Sequence, residues 1–141
     1  MKNIRVLVDT NVLLDYLTTR IPYFDDAYTI LLMCAEEKIS GYVAFHSIPD
    51  IYYILRKTYD TVTRRELLLE VCNILSVTSA SHESVINAIK NDTFKDLEDC
   101  LQDKCATEIN ADYIITRNIN DFKNSRIKAV TPKQFLNIAG Q

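Results

Sequence analysis

The segment Ile4-Arg5-Val6-Leu7-Val8-Asp9-Thr10-Asn11 constrains the fold more than any other stretch of the chain. Its β-branched apolar run reads as a buried strand over residues 3–8. The run ends in an aspartate, and Thr10 or Asn11 can cap a helix over residues 11–18. A strand that delivers a carboxylate at its C-terminal edge and turns at once into a helix is the unit from which open α/β sheets build their sites.

The alternation continues to the end of the chain. Pro22 punctuates, and Ala27, Ile30, Leu31, Cys34 and Ala35 set a helical period over 23–37 that Ser40-Gly41 breaks. Tyr42-Val43-Ala44-Phe45 reads as a second strand. Ser47 or its neighbour caps a helix through Ile51, Ile54 and Leu55. Thr61 or Thr63 starts the next, with Leu67, Leu68, Val71, Cys72 and Leu75 on its buried face. Ser76-Val77-Thr78 reads as a small strand, and Ser81 caps a helix through Val85, Ile86 and Ile89. Residues 96–110 read as helix, with Leu97, Leu101, Cys105 and Ile109 as its apolar series. Asp112 to Thr116 reads as a buried strand and 127–130 as the last one. Thr131 caps the final helix, with Pro132 at its first position. Strands separated by helices predict an α/β fold: three α/β/α layers around a central parallel sheet of four to five strands, Rossmann-like, in one domain over residues 1–141.

Charge and motifs exclude several function classes. A net charge of −3 argues against a broad grip on duplex nucleic acid. Local cationic groups remain, one around Arg56, Lys57, Arg64 and Arg65 and one around Arg117, Lys123, Arg126 and Lys128. The chain holds two glycines and neither GxGxxG nor GxxxxGK, so dinucleotide and P-loop chemistry is unsupported. Cys34, Cys72, Cys100 and Cys105 show no CxxC spacing; reduced thiols in a cytoplasmic protein are expected, with Cys34 and Cys72 as small core residues. No apolar stretch approaches the roughly 20 residues that span a bilayer, and the N-terminus lacks the apolar region of a signal peptide.

Four acids are spaced to meet on such a scaffold: Asp9 at the first strand end, Asp50 opening a helix, Asp99 in an acidic cluster, and Asp121 after the strand near Tyr113. Asp96 and Glu98 sit in the same helical turn as Asp99, where they also complement the helix dipole. Asp99 lies beside Cys100-Leu101 at the border of the apolar face, where an acid is costly unless it is occupied. Carboxylates that converge repel one another, and a divalent cation such as Mg²⁺ or Mn²⁺ is the usual remedy. His46 and His82 are isolated, and His46 fits a helix-start or rim position. A phosphohydrolase of the haloacid-dehalogenase type needs Asp-x-Asp, which Asp9-Thr10-Asn11 does not supply.

Val6 to Asp15, Ser47 to Lys57, Asp96 to Gln102 and Ala111 to Asn118 with Asp121-Phe122 together resemble the PIN domain, the small nuclease domain of VapC-type toxins and of RNA-processing enzymes. Thr131-Pro132 and Phe135-Leu136 match the family's closing helix. The resemblance implies a metal-dependent endoribonuclease, the toxin of a toxin–antitoxin pair. It implies Asp9, Asp50, Asp99 and Asp121 as catalytic acids. Asp9, Asp99, Asn118 and Asp121 would hold Mg²⁺ or Mn²⁺, and Asn11, Ser47, Asp96, Glu98 and Thr116 would support them. Arg117 would touch the substrate phosphate. RNA, an antitoxin protein and a second copy of the chain are the implied partners. Two departures stand out: Asp50 replaces the family's usual glutamate, and Asn118 replaces its usual fourth acid. The competing expectation is a catalytically impaired PIN-like domain that binds RNA or protein.

Overall fold

The computed structural model describes residues 3–140, so residues 1, 2 and 141 of the domain expected over 1–141 lie outside it. Five parallel strands form one sheet: β1 (Arg5–Val8), β2 (Ser40–Ala44), β3 (Ser76–Thr78), β4 (Tyr113–Ile115) and β5 (Lys128–Val130). Their order is β3-β2-β1-β4-β5. The chain winds outward from β1 through β2 to β3, then returns to the other side of β1 with β4. Register pairs Val6 with Gly41 on one side and with Tyr113 on the other. The direction of winding reverses between β1 and β4, and the C-terminal ends of those strands open a crevice there.

Alternation along β1 sets the two faces. Val6 and Val8 enter one apolar cluster, and Leu7 enters the other. The first cluster is covered by α1 (Thr10–Leu17), α2 (Phe24–Ala35), α3 (Ser47–Ile54), α4 (Thr61–Ile74) and α7 (Pro132–Ile138). The second, smaller one lies under α6 (Leu97–Glu108), against which α5 (His82–Lys90) packs. All three apolar residues of β1 after Arg5 are 0% exposed. Each such side chain contributes about 1.5–3 kcal/mol by leaving water, which pins the strand that carries Asp9. No helix among the described residues is long and apolar enough to cross a membrane.

Most expected boundaries hold within two residues, and the capping box at Thr131 and Gln134 with Pro132 at the helix start is present. Other local expectations are refined or corrected. Ser40-Gly41 begins β2 instead of only breaking a helix; a Cβ at Gly41 would sit 2.5 Å from Cys34 Sγ and from Leu75 Cδ2. Of Ser47 and its neighbour, His46 holds the cap position of α3, without a side-chain bond, and the Ser47 hydroxyl is engaged elsewhere. α4 starts at Thr61 as expected, with Asp60 as its cap accepting from Thr63 N–H. Cys72 is exposed, unlike Cys34, Cys100 and Cys105. The apolar series on α6 is also rotated. Cys100, Gln102, Asp103, Cys105 and Ala106 are buried while Leu97 is exposed, because a strict four-residue series drifts around a helix of 3.6 residues per turn.

Candidate active site

Asp9 closes β1 and is the N-cap of α1, so one carboxylate serves both as cap and as site group. It is 8% exposed. Its Oδ1 accepts from Thr10 N–H at 2.7 Å and from Gln102 Nε2 at 3.4 Å. Its Oδ2 accepts from the Thr116 hydroxyl at 2.8 Å and Asn11 Nδ2 at 3.3 Å. Every one of these donors is neutral, and among the described residues no lysine or arginine reaches Asp9. Burial pushes its pKa up; the bonds from Thr116 and Thr10 oppose that, and the charge of Asp121 adds to it.

Two fully buried polar side chains support the aspartate. Gln102 Nε2 also donates to Ser47 Oγ at 2.9 Å, and the Thr10 hydroxyl donates to the same Oγ at 2.8 Å. Ser47 therefore ties α1, α3 and α6 together beneath the rim. The Gln102 carbonyl oxygen is buried with no partner among the described residues.

The remaining acids form a rim around that pocket. Asp96 caps α6 by accepting from Glu98 N–H at 2.9 Å. Asp99 is pushed up to about 7 by burial, then by the charges of Asp121, Asp9 and Asp96. Glu98 is likewise pushed up to about 7, by burial, then by the charge of Asp50 and a hydrogen bond to it, with Asp96 and Asp9 contributing. Asp50, in the first turn of α3, is therefore the direct neighbour of Glu98. Asp121 lies in the 3-10 turn Ile119–Phe122, exposed and within Coulombic reach of Asp9 and Asp99. Asn118 is exposed beside it, and its backbone N–H donates to Thr116 Oγ1 at 3.0 Å.

His46 joins this group. It bonds to the backbone of Glu98 and lies within reach of Asp50 and Asp9, while burial holds its pKa below the ordinary value. Its Nε2 is buried and unpartnered among the described residues. Arg117 takes a different position from the other rim residues: its Nε and Nη2 donate to Asp15 at 2.7 and 3.3 Å, and its guanidinium lies 4.0 Å over the Tyr23 ring.

Sequence reasoning assigned no role to Gln102 or Asp15, and it expected Thr10 or Asn11 at the cap position that Asp9 holds. For Gln102 a signal existed: it lies three residues after Asp99, on the same side of α6. Asp15 carried none, because its partner Arg117 is 102 positions away.

The donor set suits a hard divalent cation. Its acids offer oxygens, the central one is buried without a counter-charge, and two neighbours are pushed up to about 7 by burial and then by the surrounding carboxylates. Among the described residues no three His, Cys, Asp or Glu side chains close into a metal cage. Mg²⁺ rarely needs one; it keeps water and binds through one or two carboxylates together with substrate phosphate.

A doubly wound three-layer domain with an acidic rim at its switch point is the class that fold and site define. The family profile of the PIN domain matches residues 5–120, and the chain belongs to that family of nuclease-type hydrolases. Among solved structures, VapBC2 from Rickettsia felis, crystallised bound to a DNA fragment from its promoter, is similar with a TM-score of 0.69. The alignment covers 91% of this chain and 98% of that one at 16% identity, a likeness of fold. No curated protein matches.

Proposed function

We propose that the chain is a single-domain, metal-dependent endoribonuclease that hydrolyses RNA phosphodiester bonds as the toxin of a toxin–antitoxin pair. The observation that carries this reading is the buried Asp9 carboxylate, held only by neutral donors, with further acids around it, of which Glu98 and Asp99 are pushed up to about 7. Asp9 and Asp99 would hold Mg²⁺ or Mn²⁺, with the Asn118 carbonyl or Asp121 completing the protein's share. When bound, the ion would polarise the scissile phosphate and acidify an attacking water. Thr116, Asn11 and Gln102 fix the orientation of Asp9, and Ser47 fixes Gln102. Asp50 positions the attacking water, and Glu98, pushed up to about 7 beside it, takes its proton. Arg117 presents its remaining N–H groups to substrate phosphate. A cytoplasmic homodimer, inhibited by an antitoxin protein, completes the proposal.

The second reading, an impaired domain that binds RNA or protein, is favoured by Asn118 at the place of the family's fourth acid and by the absence of a closed three-acid cage among the described residues. Incubation with single-stranded and looped RNAs separates the two. Cleavage should stop in EDTA, return with Mg²⁺ or Mn²⁺, and fall at least about a hundredfold in Asp9→Ala. No cleavage by the native sequence with either ion, together with no heat of metal binding, selects the binding module. Growth arrest on expression, relieved by a co-encoded protein, tests the toxin role, and light scattering tests the dimer.

A further inference from the structure

We infer that the cavity between Tyr23 and Lys133, beside the acid rim, seats one nucleotide of a single-stranded RNA next to the bond that is cut. This rests on the nuclease reading above and adds the path by which the strand enters. The cavity is about 530 Å³, within the roughly 300–1,000 Å³ typical of small-ligand sites. Asn118 forms its rim-side wall. From Asn118 the hydrogen bonds run through Thr116 to Asp9, so two bonds link the cavity wall to the central carboxylate.

Its lining has the chemistry of a nucleotide. Tyr23 is 41% exposed and backed on one face by the Arg117 guanidinium. Asp15 clamps that guanidinium through Nε and Nη2, which fixes the plane and leaves Nη1 without a hydrogen bond among the described residues. A ring held by a fixed guanidinium is a stacking platform for any base, and the free Nη1 can donate to phosphate. Lys133, exposed in the first turn of α7, stands on the far wall. Asp26 is the only acid among the lining residues. Among the lining residues Arg117 and Lys133 are cations against Asp26 alone, a local positive excess in a chain of net charge −3. That excess draws phosphate towards a rim that would otherwise repel it.

The other cavities carry less. The groove between α3 and α4 is almost wholly apolar, with Arg65 its one charge, and nothing shows what covers it. The pocket around Phe94 and Lys123 has an aromatic ring, but that ring packs against the core.

The test measures binding by the full chain in EDTA, so that no cleavage enters the readout. The probe is a fluorescently labelled single-stranded RNA decamer read by anisotropy. Lys133→Glu should weaken binding about tenfold and flatten the salt dependence by about 0.7 log units per log unit of salt. Tyr23→Ala should weaken it about tenfold and Tyr23→Phe less than about twofold, since the ring and not the hydroxyl stacks. Lys38→Glu, just ahead of β2 at the N-terminal end of the strands, away from the site, is the control and should change little. The inference is overturned if Lys133→Glu behaves like Lys38→Glu, if the native sequence binds no RNA, or if it binds only the matching DNA. Loss of cleavage in Asp9→Ala with unchanged binding in Lys133→Glu and Tyr23→Ala would keep the nuclease and remove the subsite. RNA binding lost in those two variants, with no cleavage under any metal, would do the reverse.

Discussion

Two buried aspartates on helix α1 meet opposite treatment. Asp15, 1% exposed, receives Arg117 at 2.7 Å and Arg20 at 3.3 Å. Asp9, 8% exposed, receives a backbone amide, a hydroxyl and two side-chain amides, all uncharged. Burying an ionised carboxylate is costly unless charge and hydrogen bonds offset it. At Asp15 the chain supplies both, and the result is scaffold: the pair ties α1 to the segment after β4. At Asp9 the chain supplies only hydrogen bonds and then surrounds the group with further acids. The difference separates a carboxylate that holds the fold from one that, on the proposed reading, would take its counter-charge from a bound cation.

The largest expected effect lies at Asp15. Asp15→Ala leaves two arginines without their counter-charge, and breaking a buried pair from one side costs about 3–5 kcal/mol. Both arginines reach solvent, so the loss should fall near the lower figure, read as a shift of the urea midpoint at constant slope. A loss below about 1 kcal/mol would erase the contrast between the two aspartates.

Asp9→Asn should act in the other sense. In EDTA its stability should stay within about 1 kcal/mol of the native sequence, because relief of a buried charge offsets the weaker hydrogen bonds. Magnesium at about a hundred times its dissociation constant should add about 2.7 kcal/mol to the native chain and nothing to the variant. Equal stabilisation of both by magnesium would move the cation away from Asp9.

The pH dependence sharpens the comparison further. Asp99 and Glu98 have folded values of about 7 against ordinary values of 3.8 and 4.5. Between those limits the folded chain binds more protons than the unfolded one, so metal-free stability rises as pH falls from 8. His46 acts oppositely: its folded value lies below 6.5, and its contribution is lost as pH falls through that value. The window from pH 8 to 6.5 therefore isolates the carboxylates. There the urea midpoint in EDTA should climb on acidification while magnesium affinity weakens, since protons and metal compete for the same oxygens. A midpoint that fell over this window would mean that the rim acids are ionised without strain.

Much of this layout was legible in the chain itself. The apolar run ending at Asp9, the Thr131-Pro132 start and the alternation of periods are local signals, and local signals fixed the strand order's raw material. The central sheet of five strands, the top of the expected four to five, follows from them. What stayed hidden depends on long-range pairing. Ser47 reads as a cap in isolation and becomes a brace for Gln102 only because α6 crosses it. Leu97, Leu101, Cys105 and Ile109 suggest one buried face, whereas the acids and Gln102 turn a different face inward. The proximity of Asp50 to Glu98 needs two helices that only the β2 and β4 crossovers bring together.

The smallest expected effect is the most discriminating about Asp15. Arg20 is 45% exposed and offers a single nitrogen at 3.3 Å, whereas Arg117 is 24% exposed and offers two in a fork backed by Tyr23. Exposed pairs contribute about 0–1 kcal/mol, so Arg20→Ala should shift the urea midpoint by less than about 1 kcal/mol. Arg117→Lys keeps the charge but loses both the fork and the stacking plane, and it should cost more than removing Arg20 altogether. The ranking matters because it distinguishes charge from geometry. If the two variants were equal, Asp15 would need only positive potential nearby, and the fixed Arg117–Tyr23 platform would lose its structural basis. If Arg117→Lys is the worse, the buried aspartate is what holds the guanidinium flat at the mouth of the site.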